Sequence, residues 1–185
     1  MNHLKISGIH LALLIVYCSL LIFIAPGCQQ EVYQGMTNED LKYSRAWGEP
    51  LEKLKVTDDI EVWHYIAYKI DYIVFLKKDK VVGQIRQGPQ EKMWETTKQW
   101  VEYVKNNPIY QLNIDEYLTQ LVNQKLRLGM TQTEVTLSWG NPVKTGRLNL
   151  KYGIREEWLY NRPTYRKTVL VFDNGTLTDY ETIKK

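Results

Sequence analysis

The chain has 185 residues, of which 44% are apolar and 24% charged, and its 24 basic and 21 acidic residues give a net charge of +3. With 6 Trp and 13 Tyr, it has enough large side chains to build an apolar core. The near-neutral charge argues against a dedicated nucleic-acid binder, because such proteins carry a strongly basic face.

The N-terminal segment has the pattern of a secretory signal peptide. One cation, Lys5, precedes an apolar run over 9–24 that contains no Lys, Arg, Asp or Glu and a single histidine, His10. The run is short for a hydrocarbon layer of ~30 Å, which requires roughly 20 apolar residues. The alternative is an uncleaved signal anchor.

The end of this segment, Ile24-Ala25-Pro26-Gly27-Cys28, resembles the lipobox of bacterial lipoproteins, with Pro26 as an unusual member. The resemblance implies cleavage before Cys28, lipid attachment to its thiol and a palmitate-type acylated N-terminus. Removal of Lys5 with the signal leaves 23 of the 24 basic residues and no free thiol for a disulfide. Gln29 after the cysteine implies the outer membrane rather than the inner one.

The body of the chain contains two copies of one pattern. Four landmarks recur in the same order, about 95 residues apart. They are Gly35-Met36-Thr37 and Gly129-Met130-Thr131, Trp47-Gly48-Glu49-Pro50 and Trp139-Gly140-Asn141-Pro142, Trp63-His64-Tyr65 and Trp158-Leu159-Tyr160, and Val74-Phe75 and Val171-Phe172. The sequence therefore predicts a tandem duplication.

The first two landmarks predict one short helix in each copy. Thr131 and Glu134 have the spacing of a capping box, and Thr37 with Asp40 forms a shorter version. The expected stop signals in the two copies are Gly48, Pro50, Gly140 and Pro142. The first helix is followed by predicted strands over 61–67, 71–76 and 80–85, and the second by predicted strands over 155–160, 168–172 and 177–180. Asn174-Gly175 predicts a hairpin turn between the last two of these strands.

Two further helices are expected between the copies. One spans 91–106 and carries Met93, Thr97, Trp100, Val101 and Val104 on one stripe. The other begins with Asp115 as N-cap and reaches about residue 126. The predicted organisation is a signal peptide over 1–27, a tether over 28–34, a first repeat over 35–88, a connecting helix over 89–112 and a second repeat over 113–185. The fold class is α+β, each repeat being a short helical unit followed by an antiparallel meander of three to four strands.

These motifs resemble the SmpA/OmlA (BamE-like) lipoprotein family, best over 126–181 and less well over 35–87. The domain also resembles each half of the beta-lactamase inhibitory protein fold. The resemblance implies a lipoprotein on the periplasmic face of the outer membrane that binds proteins. The family has one such domain, whereas this chain has two.

The inventory of reactive side chains argues against an enzyme. After signal removal the chain keeps one histidine, His64, and two serines, neither of which lies in a Gly-x-Ser-x-Gly elbow. His64 alternates away from Trp63 and Tyr65 and is expected at the surface. No zinc, calcium or phosphate-binding motif is present, so we expect no cofactor, metal or small-molecule substrate.

A protein-binding role is the remaining class. Three basic residues, Arg162, Arg166 and Lys167, flank a predicted hairpin and are candidates for contact with an acidic partner or anionic lipid, although ordinary solubility also explains them. The first hypothesis is a lipid-anchored periplasmic module in outer-membrane or envelope assembly. The second is an inhibitor-like binder that engages a soluble periplasmic enzyme through a concave double sheet.

Overall fold

The computed structural model describes residues 32–44, 47–67, 69–87, 92–162 and 166–184. Residues 32–185 form one unit. The signal segment, Cys28 and the tether up to residue 31 lie outside the described residues, so the predictions made for them keep that status. The predicted α+β fold is confirmed, with two four-stranded antiparallel sheets.

The first repeat consists of helix α1 (Asn38–Tyr43) and strands β1 (Glu52–Lys55), β2 (Ile60–Ala67), β3 (Ile70–Lys77) and β4 (Lys80–Gln87). Three helices follow, α2 (Met93–Lys105), α3 (Pro108–Leu112) and α4 (Ile114–Val122). The second repeat consists of α5 (Gln132–Trp139), β5 (Lys144–Leu150), β6 (Gly153–Arg162), β7 (Arg166–Asp173) and β8 (Thr176–Lys184). Each sheet is a meander in which sequential strands are neighbours.

The edge strands β1 and β5 were not among the predicted strands. Both are polar and largely exposed, and β5 is exposed at every position. Such strands lack the apolar alternation that signals a half-buried strand, so they are recognised only through their pairing with β2 and β6.

The short helix of each repeat begins with a reciprocal capping box. In α5 the Thr131 side chain accepts from the backbone of Glu134 while the Glu134 carboxylate accepts from the Thr131 backbone. Thr37 and Asp40 make the same pair of bonds in α1, so the predicted shorter version is a complete box. Gly140 ends α5 with φ 79°, but α1 already ends at Tyr43, before Gly48.

Three helices lie between the repeats where two were predicted, because the short α3 was not expected. The predicted stripe on α2 is buried, from Met93 to Val104. However, α4 is capped by Asn113 and ends at Val122, while Asp115 lies in its first turn. Asn113 also ends α3, so the two helices meet at this residue. The carboxylate of Asp115 binds Lys77 at the end of β3 instead of capping the helix.

The duplication is visible in the packing of one face of each sheet against its short helix. In the first repeat this core contains Met36, Leu41, Trp63, Tyr65, Val74, Leu76 and Val81. In the second it contains Met130, Val135, Trp158, Tyr160, Leu170, Phe172 and Leu177. Trp47 packs edge-on against Tyr65 with ring centres 5.3 Å apart, and Trp139 packs in the same way against Tyr160 with ring centres 5.4 Å apart.

The strand register corrects one of the sequence matches. Trp63 pairs with Val74, whereas Trp158 pairs with Leu170, so Phe172 corresponds to Leu76 and not to Phe75. Because neighbouring residues of a strand point to opposite faces, this shift of one residue matters. Phe172 packs on Trp158, while Phe75 lies on the other face of its sheet and packs on Trp100.

Candidate functional site

The two sheets differ in what covers their second face. In the first sheet, that face carries Val62, Ile73, Phe75 and Ile85, which are buried together with residues of α2 and α4. Trp100 of α2 packs edge-on against Phe75, with ring centres 5.7 Å apart. On α4, Val122 lies directly over Gly83, where an added Cβ would be 2.8 Å from the Val122 Cβ.

The corresponding face of the second sheet is not covered by any described element. We call it the open face, and it consists of the even-numbered residues of 144–150 and the odd-numbered residues of 155–161, 167–173 and 179–183. None of these residues is buried. At Gly146, an added Cβ would meet nothing within 4 Å. The open face is therefore available to a partner.

Apolar side chains lie next to charged ones on the open face. Leu159, Val169 and Val171 are half-buried among their neighbours on β6 and β7, and Leu148 is 55% exposed on β5. Glu157 lies beside Val171 on the central strands, and Lys144, Asp179 and Glu181 lie on the edge strands β5 and β8. Arg155 and Asp173 form a two-pronged ion pair with N–O distances of 2.8 and 3.1 Å. A non-obligate protein interface is about as apolar as the rest of a protein surface, so this mixture of side chains is compatible with one.

The three basic candidates from the sequence lie near one end of this face. Arg162 and Arg166 are register partners at the end of the β6–β7 hairpin, whose turn residues 163–165 lie outside the described part. Lys167 is exposed and belongs to the open face. The structure thus brings these residues to one end of the hairpin. The sequence analysis did not identify the open face. The apolar Leu159, Val169 and Val171, which alternate with buried residues of the same strands, could have indicated a second apolar face.

His64 is buried, contrary to the expectation of a surface position. It does point away from Trp63 and Tyr65, but that side of the sheet is covered by α2. Its ring stacks on Trp94 with centres 4.6 Å apart, and its Nε2 lies 3.0 Å from the carboxylate of Asp71. A ring enclosed in this way is closed to an external substrate, so its position is that of a core residue.

A buried carboxylate links α5 of the second repeat to α3 and to the segment that precedes α5. Glu134 is 1% exposed and accepts hydrogen bonds from the Tyr110 hydroxyl at 2.5 Å and from Arg127 at 3.2 Å. Its second oxygen accepts from the Thr131 backbone at 2.7 Å. Burial, and secondly the neighbouring Glu134, raise the pKa of Tyr110. These bonds occupy the carboxylate fully, which indicates a structural role.

Acidic residues also gather beside the β3–β4 turn, where Asp58 and Asp59 line a shallow pocket. Asp58 pairs with Lys55 at 2.8 Å and Asp59 with Lys78 at 3.7 Å, so their charges are balanced locally. In the described part of the chain, no group of three His, Cys, Asp or Glu side chains is arranged to hold a metal ion. Nor does any described helix have the length and apolar character required to span a membrane.

Comparison with known proteins finds a likeness at the level of structure. No family model matches the sequence, and neither does any curated protein. The structure is similar to the crystal structure of a Streptococcus mutans protein described as a candidate beta-lactamase inhibitor protein. The two chains are 13% identical, the match covers 84% of this chain and 87% of the other, and the TM-score is 0.30. At these values, the likeness carries no argument about what the chain binds.

Proposed function

We propose that this chain is a non-enzymatic, protein-binding module and that the open face of its second sheet is the binding surface. One observation carries the proposal: the same face is buried under α2 and α4 in the first repeat and uncovered in the second. Unpartnered faces that expose apolar side chains are characteristic of interaction sites.

The proposal includes attachment to the bacterial envelope through a lipid on Cys28, facing the periplasm, with the outer membrane as the expected location. The support for this is the lipobox-like sequence that ends at Cys28 and the glutamine that follows it. The motifs between Gly129 and Gly175 support a relationship to SmpA/OmlA-like lipoproteins and, with it, a role in envelope assembly or maintenance.

The binding surface is testable with a photo-crosslinking side chain at Glu157, which is exposed in the middle of the open face. Irradiation of intact cells is expected to give a covalent adduct with a protein. A matched control is Arg86, an exposed strand residue of the first sheet that lies outside the open face. Equal adducts at both positions, or none at Glu157, would contradict the proposed surface.

The captured protein would also separate the two functional hypotheses. A component of an envelope assembly machine supports the first, whereas a soluble periplasmic enzyme supports the inhibitor-like alternative. In this chain the alternative has to use one sheet only, because α2 and α4 occupy the corresponding face of the first sheet. An inhibitor that uses both sheets is therefore not the form we propose.

The anchor has a separate test, in which Cys28 is replaced by alanine. Labelled fatty acid is expected on the wild-type chain and not on the Cys28→Ala variant, because the thiol is the proposed acceptor. Several acyl chains, at ~0.8 kcal/mol per buried CH₂, hold a protein far more firmly than one chain does. The variant should also keep residues 1–27, because the expected cleavage before Cys28 depends on the lipidated thiol, and it should therefore have a larger polypeptide mass than the wild-type chain. Equal labelling of both proteins would exclude attachment at this residue.

A further inference from the structure

We infer that one end of the first sheet docks on the lipid surface that holds the acylated N-terminus. This end lies at the turn between β2 and β3. We call it the hairpin end, and it consists of Ile66, Lys69 and Ile70. The inference concerns a different surface from the open face, but it rests on the proposed lipid attachment at Cys28. It starts from the path of the chain between the anchor and the fold.

The described chain begins alongside β4 and runs antiparallel to it. The Gly35 amide donates to the Val81 carbonyl at 2.7 Å, and the Val32 carbonyl accepts from the Gln84 side chain at 3.5 Å. From Val81 to Gln84, β4 itself runs towards the hairpin end, because its last residue pairs with Asp71 beside that turn. Traced towards the N-terminus, the chain therefore points to the hairpin end.

The length of the tether matches the distance to the hairpin end. Cys28 precedes Val32 by four residues, which span at most about 14 Å when fully extended. Gln84, beside Val32, pairs with Val74, and Ile70 lies roughly 13 Å further along β3 from there. Acyl chains on Cys28 would lie in the hydrocarbon, so the fold cannot stand further away than the tether allows. A tether that continues along β4 brings the hairpin end to the level of the headgroups.

The side chains of this end suit a boundary between lipid and water. Ile66 is aliphatic and 57% exposed, and Tyr33, at the start of the described chain, is 54% exposed. Lys69 is exposed in the turn and forms no ion pair with a described residue. A lysine lays its apolar stem along such a boundary while its ammonium stays in water, and a tyrosine has one apolar and one polar end.

The turns at the opposite end of the same sheet have a different character. They lie at 57–59 and 78–79 and contain only Thr, Asp and Lys. Near the hairpin end, in contrast, the acidic residues on the β1 and β3 sides of Ile66 have basic partners among the described residues. The pairs are Asp71 with His64 at 3.0 Å, Glu49 with Lys53 at 3.4 Å and Glu52 with Lys98 at 3.9 Å. The hairpin end is therefore the end of the sheet that fits a lipid surface.

Docking requires no high affinity, because the anchor already holds the chain at the surface. A second contact made by a tethered molecule is an intramolecular step with a high effective concentration. Amphipathic elements at a membrane surface bury their apolar side about 5–10 Å into the headgroup boundary. The contact would fix the orientation of the fold on the membrane, and the acyl chains would supply the strength of attachment.

A fluorescent probe on a new cysteine tests the docking in the full, lipid-bearing chain. The chain is purified from membranes and reconstituted in vesicles of phosphatidylethanolamine and phosphatidylglycerol. Lipid on Cys28 leaves the new thiol as the site of labelling. A probe at Ile66→Cys should be quenched by lipids that carry a nitroxide near the headgroup. At Ile109→Cys, the quenching should be about threefold weaker, because that probe stays outside the headgroup region.

Ile109 is the matched control because it is also an exposed isoleucine, at 74%, but lies at the other end of the first sheet. At the start of α2, Trp94 stacks on His64, close to the hairpin end. Beyond the last turn of α2 lies α3, which carries Ile109. There, Lys77 at the end of β3 binds Asp115, just after α3.

A substitution tests the contribution of Ile66 itself. With the probe at Lys69→Cys, the added change Ile66→Gln should lower the quenching about twofold, because it removes the apolar side chain from the headgroup boundary. Ile109→Gln, added to the same labelled variant, should leave the quenching unchanged. Both isoleucines are exposed, so unchanged thermal midpoints will show that the variants fold.

The inference is overturned if the probes at Ile66→Cys and Ile109→Cys are quenched equally, or if Ile66→Gln has no effect. When mass spectrometry of the same samples shows the acyl chains on Cys28, either result leaves the proposed anchor standing. A purified chain without acyl chains contradicts both the anchor and the docking. None of these results changes the separate crosslinking test of the open face.

Discussion

Each of the two sheets has one face that packs in the same way, and the sheets differ in what covers the other face. On the shared face, each sheet contacts a short capped helix through a Trp-x-Tyr pair and a further tryptophan packed edge-on against the tyrosine. On the other face, the first sheet contacts α2 and α4, whereas the second sheet is open. The two repeats thus have equivalent cores, and among the described elements only the first sheet has a second layer of helices.

The comparison predicts that the two equivalent tryptophans are both core residues. Trp63 is 2% exposed and Trp158 is 8% exposed. Replacing either by alanine should lower the free energy of unfolding by about 3–5 kcal/mol, because a large cavity is left behind. Chemical denaturation of the purified variants measures this loss. A Trp158→Ala variant that keeps normal stability but loses its partner would place Trp158 at an interface instead.

The two capping boxes should differ in importance. Glu134 also holds Tyr110 and Arg127, so Glu134→Ala leaves buried groups without partners and should destabilise the fold by about 3 kcal/mol. The carboxylate of Asp40 binds only Thr37 among the contacts described, and it is exposed. Asp40→Ala should therefore cause a clearly smaller fall in the thermal midpoint. Similar losses would mean that the Tyr110 and Arg127 contacts contribute little.

Two glycine substitutions compare the covered face of the first sheet with the open face of the second. Gly83→Ala forces a Cβ against Val122 at 2.8 Å and should cost about 1–3 kcal/mol of stability, as overpacking does. Gly146→Ala adds a methyl group where nothing lies within 4 Å and should be neutral or stabilise the strand by up to about 1 kcal/mol. Thermal unfolding of the pair gives the sign of each change. A destabilised Gly146→Ala variant would argue against an open face.

The smallest effect is expected at the turns between the last two strands of each sheet. Asn174 and Gly175 adopt φ of 51° and 80°, which suits both residues. In the first repeat, Lys78 has φ of 48°, in the same left-handed region. Lys78→Asn should accordingly stabilise the protein by about 0.5–1 kcal/mol, measured by denaturation. A loss of stability would show that the exposed contact between Lys78 and Asp59 matters more than the backbone preference.

Local features were predictable from the sequence because they depend on neighbours along the chain. A capping box requires two residues three positions apart, and Thr131 with Glu134 meets that requirement. The turn at Asn174-Gly175 follows from the backbone freedom of these two residues. The buried stripe of α2, including Trp100, follows from helical periodicity.

The register of the sheets could not be predicted from neighbouring residues in this way. Two similar dipeptides, Val74-Phe75 and Val171-Phe172, suggested an alignment that the pairing with β2 and β6 shifts by one residue. Cross-strand hydrogen bonds fix this register, and they join residues that are far apart in sequence. The same reasoning applies to the polar edge strand β5, which only its partner β6 identifies.

The sequence by itself determined that each repeat is a short capped helix followed by a meander, because caps, turns and alternation act over a few residues. It also determined that each strand has two distinct faces. Which face is covered was decided by the tertiary structure, since α2 and α4 are long-range neighbours of the first sheet alone. For that reason His64 is buried beneath Trp94, whereas Leu159, which lies at the matching position of the second sheet, is not buried.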